Sequence, residues 1–490
     1  MPNNSQYLNQ LQNSSLFSDS GVLVDESVKL IEDDQYSTIG GAVTVLELNL
    51  QLKDGSFVSL LDVYSSIIVE ESVFTNSISG AISVIDPAGG LEKFMIRGGE
   101  NLRMKIAKPN NGPTLIWRQD LIITLVGGGN MDSLTGYTSY TLHFAPRTYI
   151  NSLKTRLYKS YKDQSLADAV LSIYDEISAN QLFIEDPKIT LKNPFISTGF
   201  MPHRAIDELA QRACSKNKYF AFFERFVPIF GHLNTGSAYT ATHYFGSMEK
   251  LIEDSKNLGI KTISFNLKLD ANFESPIIRA RSFSRMSNFN HLPAMDLGFY
   301  NTKITSINPI TKEVFHQKMS YTDSNEDSRD FYANKLIDRT NIFSVYDDIK
   351  NQIPGNKLIM SSINDAVDRK DWLKNHIYGN LSRQYFKILV EIQGATNRIS
   401  AGHVVNFVTP SFEYMTVYKE DPNPYVDPVH SGSYFVVSVI HTIAASTYTK
   451  KLELARSSSP INPDKFTSLD NTNLIQDDIL KSLGNRRTWN

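Results

Sequence analysis

Ten histidines, a single cysteine and several carboxylate clusters are the groups in this 490-residue chain with reactive chemistry to offer. A thiol acts as a nucleophile only when a base or positive charge draws off its proton. Cys214 continues the helical stripe of Ala210 and Ala213 with no histidine spaced to pair with it, so it reads as a small buried hydrophobe. The histidines lie apart. His430 and His441 flank a strand without the tight spacing of zinc ligands, and His441 reads as structural. Asp347-Asp348 and the carboxylates of Asp365–Asp371 could serve acid–base work, but their polar surroundings describe a solvated face, where a raised pKa is not expected. Gly127-Gly128-Gly129-Asn130 resembles a phosphate loop only until one looks for the Gly-Lys-Ser/Thr that should follow, so it reads as a hairpin loop. The run Tyr219–Phe223 could stack a ligand, yet continuous aromatics more often mark a strand buried on both faces. The expected sets of catalytic, cofactor-binding and metal-binding residues are therefore all empty, and the chain reads as no enzyme.

The elements that would position such groups are mostly strands. Leu46, Leu48, Leu50 and Leu52 alternate with Glu47, Asn49 and Gln51, and Lys53-Asp54-Gly55 turns this strand into a partner over Phe57–Val63. Between Ser65 and Ile106, Ile78, Ile82 and Val84 oppose Ser77, Ser79 and Ser83. Asp86-Pro87-Ala88-Gly89-Gly90 should then reverse the chain into a strand at Phe94 and Ile96, and Leu102, Met104 and Ile106 complete an antiparallel meander. Leu115–Val126 and Tyr140, Leu142 and Phe144 add two strands. The pattern changes near Tyr158: Ser165 caps a helix carrying Ala169, Val170, Ile173 and Ile177, and Pro202 opens a second one reaching Asn217. Tyr219–Glu224 and Thr242–Phe245 read as paired strands.

This order divides the chain into an N-terminal arm (1–40), a first β-barrel (41–150), an α/β connector (151–258), strands contributing to a second barrel (259–324), a helical insertion (325–382), the second barrel (383–456) and a tail (457–490) with a short helix over Leu474–Leu483. The insertion rests on helical patterns at Asp327–Arg339 and Ile363–Ile377. The second barrel rests on Phe386, Ile388, Val390 and Ile392 and on a hairpin of Ser433–His441 with Tyr448–Leu454. One cysteine excludes a disulfide-stapled scaffold, and a net charge of −3 gives no basic footprint for sequence-specific nucleic-acid binding. The polar residues 1–20 lack the profile of a classical export signal. No apolar run approaches spanning length, so stable membrane insertion is not expected.

The stretch VFTNSISGAISVIDPAGG followed by IRGGENLRMKI resembles the first barrel of baseplate hub proteins of contractile-tailed bacteriophages, the T-even type. YKDQSLADAVLSIYDEI, FMPHRAIDELAQRACSKNKYFAFFER and HYFGSMEKL are similar to the connector shared by those hubs and the hub-like half of type VI secretion VgrG spike proteins. ISAGHVVNFVTPS and HSGSYFVVSVIHTIAASTYTKKLELARSS are similar to the second barrel. The resemblance implies two tail-tube-like antiparallel β-barrels joined by a small α/β connector. It implies a homotrimeric symmetry adaptor in the virion, made in the host cytoplasm, that joins a threefold central spike to a sixfold tail tube and starts tube assembly. Implied partners are the spike protein, the tail tube or its initiator ring, baseplate wedge proteins, and a tape measure protein in a channel through which DNA passes, with no cofactor. Two other readings stay open at this stage: a carbohydrate-binding or cell-wall-degrading tail component, and the spike hub of a contractile secretion or injection system.

Overall fold

A computed structural model describes residues 42–87, 89–107, 114–131, 136–177, 182–191, 195–213, 218–228, 239–257, 260–265, 277–288, 301–307, 311–320, 356–361, 386–394, 399–410, 427, 430–444 and 447–456. The expected N-terminal arm, both expected insertion helices, the Leu474–Leu483 helix, Cys214, Asp347-Asp348 and Asp365–Asp371 lie outside the described residues.

The chain is mainly β, as its alternating sequence requires. Its first strands are β1 (Thr44–Gln51), β2 (Phe57–Ser59), β3 (Tyr64–Ser72), β4 (Ser79–Asp86), β5 (Asn101–Ala107), β6 (Thr114–Met131) and β7 (Thr138–Pro146). They pair antiparallel in the spatial order β3-β4-β7-β6-β5-β1-β2. Leu48, Leu50, Ile67, Val69, Ile82, Leu102, Met104 and Leu142 all point into one core and are buried. Each such side chain contributes roughly 1.5–3 kcal/mol on leaving water. A register shift between Val45 and Glu47 turns Leu46 outward, where it is exposed, so the leucine alternation holds only from Leu48 onward.

Three expectations for this region need correction. Phe94 and Ile96 do not form a strand: Gly90–Lys93 winds into a short helix, α1, and both residues lie outside any strand. The expected meander is not sequential, because β5 pairs with β1 and β6 while β4 pairs with β3 and β7. Gly127-Gly128-Gly129 is not a loop but part of the 18-residue β6, where a register irregularity between Gly127 and Asn130 takes up the extra length.

The connector contains α2 (Arg147–Lys154), β8 (Leu157–Tyr161), α3 (Leu166–Tyr174), β9 (Leu182–Ile184), β10 (Phe195–Phe200), α4 (Pro202–Arg212), β11 (Phe220–Pro228), β12 (Tyr239–Ser247) and α5 (Met248–Asn257). Ser165 caps α3 as expected, accepting the Asp168 amide at 3.0 Å, and Pro202 occupies the first turn of α4. α4 ends at Arg212, before the expected Asn217. The inward stripes Ala169, Val170 and Ile173 of α3 and Ala205, Ile206 and Leu209 of α4 pack with Phe220, Phe222 and Phe245.

The second barrel is built from β13 (Lys261–Ser264), β14 (Ile277–Asn288), β18 (Phe386–Gln393), β19 (Val404–Val408), β20 (Gly432–Ala444) and β21 (Thr447–Arg456). The order β19-β13-β14-β18-β21-β20 closes on itself through the β19–β20 pair. Alternate residues of β18, from Phe386 to Ile392, fill its core. β13 runs parallel to both of its neighbours, while the other pairings are antiparallel. Between β14 and β18 in sequence, β15 (Asn301–Ile307), β16 (Val314–Ser320) and β17 (Asn356–Ser361) make a separate three-stranded sheet. Asn356–Ser361 is thus a strand inside the stretch expected to be helical, held by parallel pairing with β15. β15 and β16 likewise stand outside the barrel that they were expected to join.

The two barrels share hydrogen bonds. β3 pairs with β20 over Ser66–Ser72 and Ser438–Ala444, so both barrels lie in one thirteen-stranded sheet. Ala42, leading into β1, bridges Thr447 at the start of β21. The end of the β20–β21 hairpin thereby spans the gap between β3 and β1, and its Ile443 and Tyr448 sit in the core of the first barrel.

Candidate functional site

The residues that combine charge with deep burial meet where the first barrel, the connector and the second barrel converge. β11 explains why they do. Its side chains alternate, so Phe220 and Phe222 enter the connector core, Phe226 enters the core of the first barrel, and Glu224 lies between them on the same face. On the opposite face Ala221 and Phe223 join Val73, Met248, Leu251, Val404, Phe435 and Val437 in an apolar layer between connector and second barrel.

Glu224 accepts hydrogen bonds from Arg118 Nη1 at 2.8 Å, Ser77 Oγ at 2.8 Å and the Ile78 amide at 2.9 Å. Arg118, on β6, also grips Asp120 with two parallel bonds of 2.8 and 3.0 Å. Burial opposes ionisation of Glu224, but the Arg118 charge and these donors outweigh it and hold the carboxyl at about 2. Burial also works against the Arg118 charge, and Glu224 and Asp120 more than offset it.

A second carboxylate crosses in the other direction. Glu71 of β3 accepts the Phe226 amide of β11 at 2.8 Å and lies 3.2 Å from Nε2 of His441 on β20. His441 Nδ1 stands 2.6 Å from the Tyr448 hydroxyl of β21. With Glu71 as acceptor, the imidazole carries its proton on Nε2, and its Nδ1 accepts a hydrogen bond from the Tyr448 hydroxyl. Burial lowers the His441 pKa, with Glu71 working against it. Arg225, on the Phe223 face, stacks 5.2 Å over the Tyr244 ring.

Glu71, Arg118, Glu224, His243 and His441 are each 4% exposed or less, so they meet one another rather than a substrate. The arrangement can fix three modules at a set angle. Among the described residues no group of three or more His, Cys, Asp or Glu could hold a metal ion, and no helix is long and apolar enough to cross a membrane. His430, the other histidine singled out in sequence, is buried beside Asp427, 2.6 Å from its carboxylate, and Phe283 and Phe386 flank its ring. Tyr219–Phe223 does lie in and just before a strand with both faces covered.

Glu71, Arg118 and Glu224 were not singled out from sequence. Each is a charge on the apolar parity of its strand, Glu71 after Ile67 and Val69, Arg118 after Ile116 and Glu224 between Phe222 and Phe226, and that misfit is the signal that could have found them.

One further carboxyl guards the connector's contact with the first barrel. Asp207 of α4 accepts from Asn76 in the β3–β4 connection, and burial pushes its carboxyl up to about 7 against that hydrogen bond. A raised carboxyl pKa stabilises the fold least when ionised, so stability is lost as pH rises from about 4 through 7. Asp207→Asn keeps an acceptor for Asn76 without the charge. It is expected to gain about 1–3 kcal/mol over the wild type at pH 8 and nothing at pH 4. Urea midpoints at the two pH values measure this, and an equal gain at both would exclude the titration of Asp207 as its cause.

No protein-family model and no curated protein sequence matches the chain. Among solved structures it is similar to a tail protein from Neisseria meningitidis MC58, with 10% identity and a TM-score of 0.47 over 86% of this chain and 98% of that one. It is also similar to the 43 kDa tail protein of prophage MuSo2 from Shewanella oneidensis, with 10% identity and a TM-score of 0.46 over 85% of this chain and 100% of the other. A component of the E. coli type VI secretion system is 9% identical, with a TM-score of 0.38 over 86% of this chain and 78% of that one.

Proposed function

We propose that the chain is a structural hub of a contractile phage tail, located in the virion, and that it works as a homotrimer without catalysing a reaction. The carrying observation is that one chain holds two barrels tied edge to edge through β3 and β20, with a connector locked against both by Glu224 and Glu71. A threefold spike and a sixfold tube present no matching interfaces. Two barrels per chain in a threefold ring offer six near-equivalent ones, provided that the barrels keep a fixed mutual orientation. The shared sheet and the buried junction supply that rigidity.

In this reading residues 41–150 and 383–456, the latter with β13 and β14, face the first tube ring. The ring also contacts the central spike and the wedge proteins, and its channel passes the tape measure and then DNA without sequence-specific contacts. Native mass spectrometry and electron microscopy of the purified chain, alone and with its spike protein, test it. A trimer that captures the spike and seeds tube polymerisation is expected. A monomer at micromolar concentration with no affinity for spike or tube protein would overturn it.

A further inference from the structure

In the connector, β8 pairs with a single strand. Its partner is β10, matched through Tyr161 to Phe195, Ser160 to Ile196, Lys159 to Ser197 and Tyr158 to Thr198, and among the described residues no strand lies along its other edge. The ribbon is held from one side only. Leu157, Tyr161 and Phe195 point into the connector core, and Lys159 Nζ donates to Ser172 Oγ of α3 at 3.2 Å. The other face carries Tyr158, Ser160, Ile196 and Thr198, all exposed, Tyr158 by 81% and Ile196 by 57%. Tyr158, Lys159 and Ser160 are exposed in succession, so β8 is open to solvent on both of its faces. Such an edge offers a row of backbone N–H and C=O groups that a further strand would satisfy.

The flanking residues say which strand fits. Lys154, Arg156, Lys159 and Lys162 lie in the stretch LKTRLYKSYK of residues 153–162, which contains no carboxylate, and the first to follow is Asp163, 3.5 Å from Lys162. Thr155 is already extended, so Arg156 shares the open face of Tyr158 and Ser160. Two copies of this edge laid together would set these cations against one another. The charges therefore exclude a second copy of the chain and select an acidic strand. A nucleic acid or an anionic bilayer would answer the charges but not the backbone groups of the edge.

We propose that the open edge of β8 is the docking site for an extended acidic segment of a partner protein, which adds a third strand to the ribbon. Its carboxylates face Lys154, Arg156 and Lys162, and an apolar side chain between them covers the Tyr158 ring. The site lies outside both barrels and does not rest on the hub reading.

Fluorescence anisotropy of labelled decapeptides with the full-length chain tests this. A peptide of alternating Glu and Val is expected to bind about tenfold or more tightly than one of alternating Glu and Pro, which has the same charge but lacks every second N–H. Hydrogen exchange, read by mass spectrometry, should slow at the amides of residues 157–161 when the Glu-Val peptide is bound. Arg156→Glu/Lys162→Glu should weaken that peptide by about tenfold or more and bind an alternating Lys-Val peptide in its place. Both substitutions fall on exposed positions, and an unchanged melting temperature verifies the fold. Tyr158→Ala should weaken the Glu-Val peptide without admitting the Lys-Val one. Equal binding of the Glu-Val and Glu-Pro peptides, or binding that leaves exchange at residues 157–161 unchanged, would reduce the site to a charged patch and overturn the proposal. Failure of the Glu-Val peptide to bind overturns it too, as does an oligothymidylate that binds more tightly, which would assign the face to nucleic acid.

Discussion

Glu224→Ala should destabilise the protein by about 3–5 kcal/mol, the range for removing one partner of a buried ion pair. The loss is larger than that of the Arg118 contact alone. Truncation strands the Arg118 charge with only the half-exposed Asp120 to pair it, and it leaves the Ser77 hydroxyl and the Ile78 amide without their acceptor. Glu224→Gln keeps an acceptor but not the charge and should fall between alanine and the wild type. Replacing both partners, as Arg118→Met with Glu224→Leu, should recover the part of the loss that comes from the stranded Arg118 charge but not the part from Ser77 and Ile78, which still lack their acceptor. The pH dependence separates this pair from mere packing. Glu224 titrates at about 2 in the fold, below its ordinary 4.5, so its stabilisation is complete above about 4.5 and drains as pH falls towards 2. The gap in urea midpoint between wild type and Glu224→Gln should therefore be widest near pH 6 and shrink by pH 2.5. A gap that stays constant over that window would mean that the carboxylate charge is not what holds the junction.

Why that junction was hidden in the sequence is a matter of distance. Glu71 and His441 are 370 positions apart and Ser77 and Glu224 are 147, so no local pattern joins them. With Glu70, Asp120 and Arg225 one or two positions away, each of these charges is also easily taken for part of a solvated face. The alternation itself was legible wherever one face is buried and the other wet, as at Phe386, Ile388, Val390 and Ile392, and so was helix capping at Ser165, which is decided by four adjacent residues. Pairing partners were not. Leu102, Met104 and Ile106 carry the same inward pattern whether β5 lies beside β4 or, as it does, between β1 and β6. Gly127-Gly128-Gly129 reads as a loop because glycine weakens a strand. Inside β6 the ladder to β7 holds it, with Gly127 paired to Thr141. Leu358, Ile359 and Met360 form a strand too short to outvote the polar, helix-forming sequence around them, and its parallel pairing with β15 is a contact that local sequence does not reveal.

Gly80→Val should cost about 3 kcal/mol or more, at the upper end of overpacking effects, for a reason other than backbone conformation. Its φ is not in the left-handed region, unlike that of Gly99 at +93°. What forbids a side chain is space. Gly80 lies directly opposite Phe144 on the inward face, and an added Cβ would stand 2.3 Å from the ring and 2.4 Å from the Ile68 carbonyl oxygen. The ring could turn away, but the carbonyl belongs to β3, which β4 and β20 hold on both edges, so a Cβ must part strands that join the two barrels. Gly99 meets nothing within 4 Å, and Gly99→Val should cost only the strain of a positive φ, about 1–3 kcal/mol. Phe144→Leu added to Gly80→Val removes one of the two clashes and should return part of the stability, while added to Gly99→Val it should return none. Denaturation midpoints of the four variants decide the matter: if Gly80→Val melts with the wild type, the Phe144 ring does not close over this glycine in solution, and the packing beneath the β3–β20 seam is looser than a rigid two-barrel adaptor can tolerate.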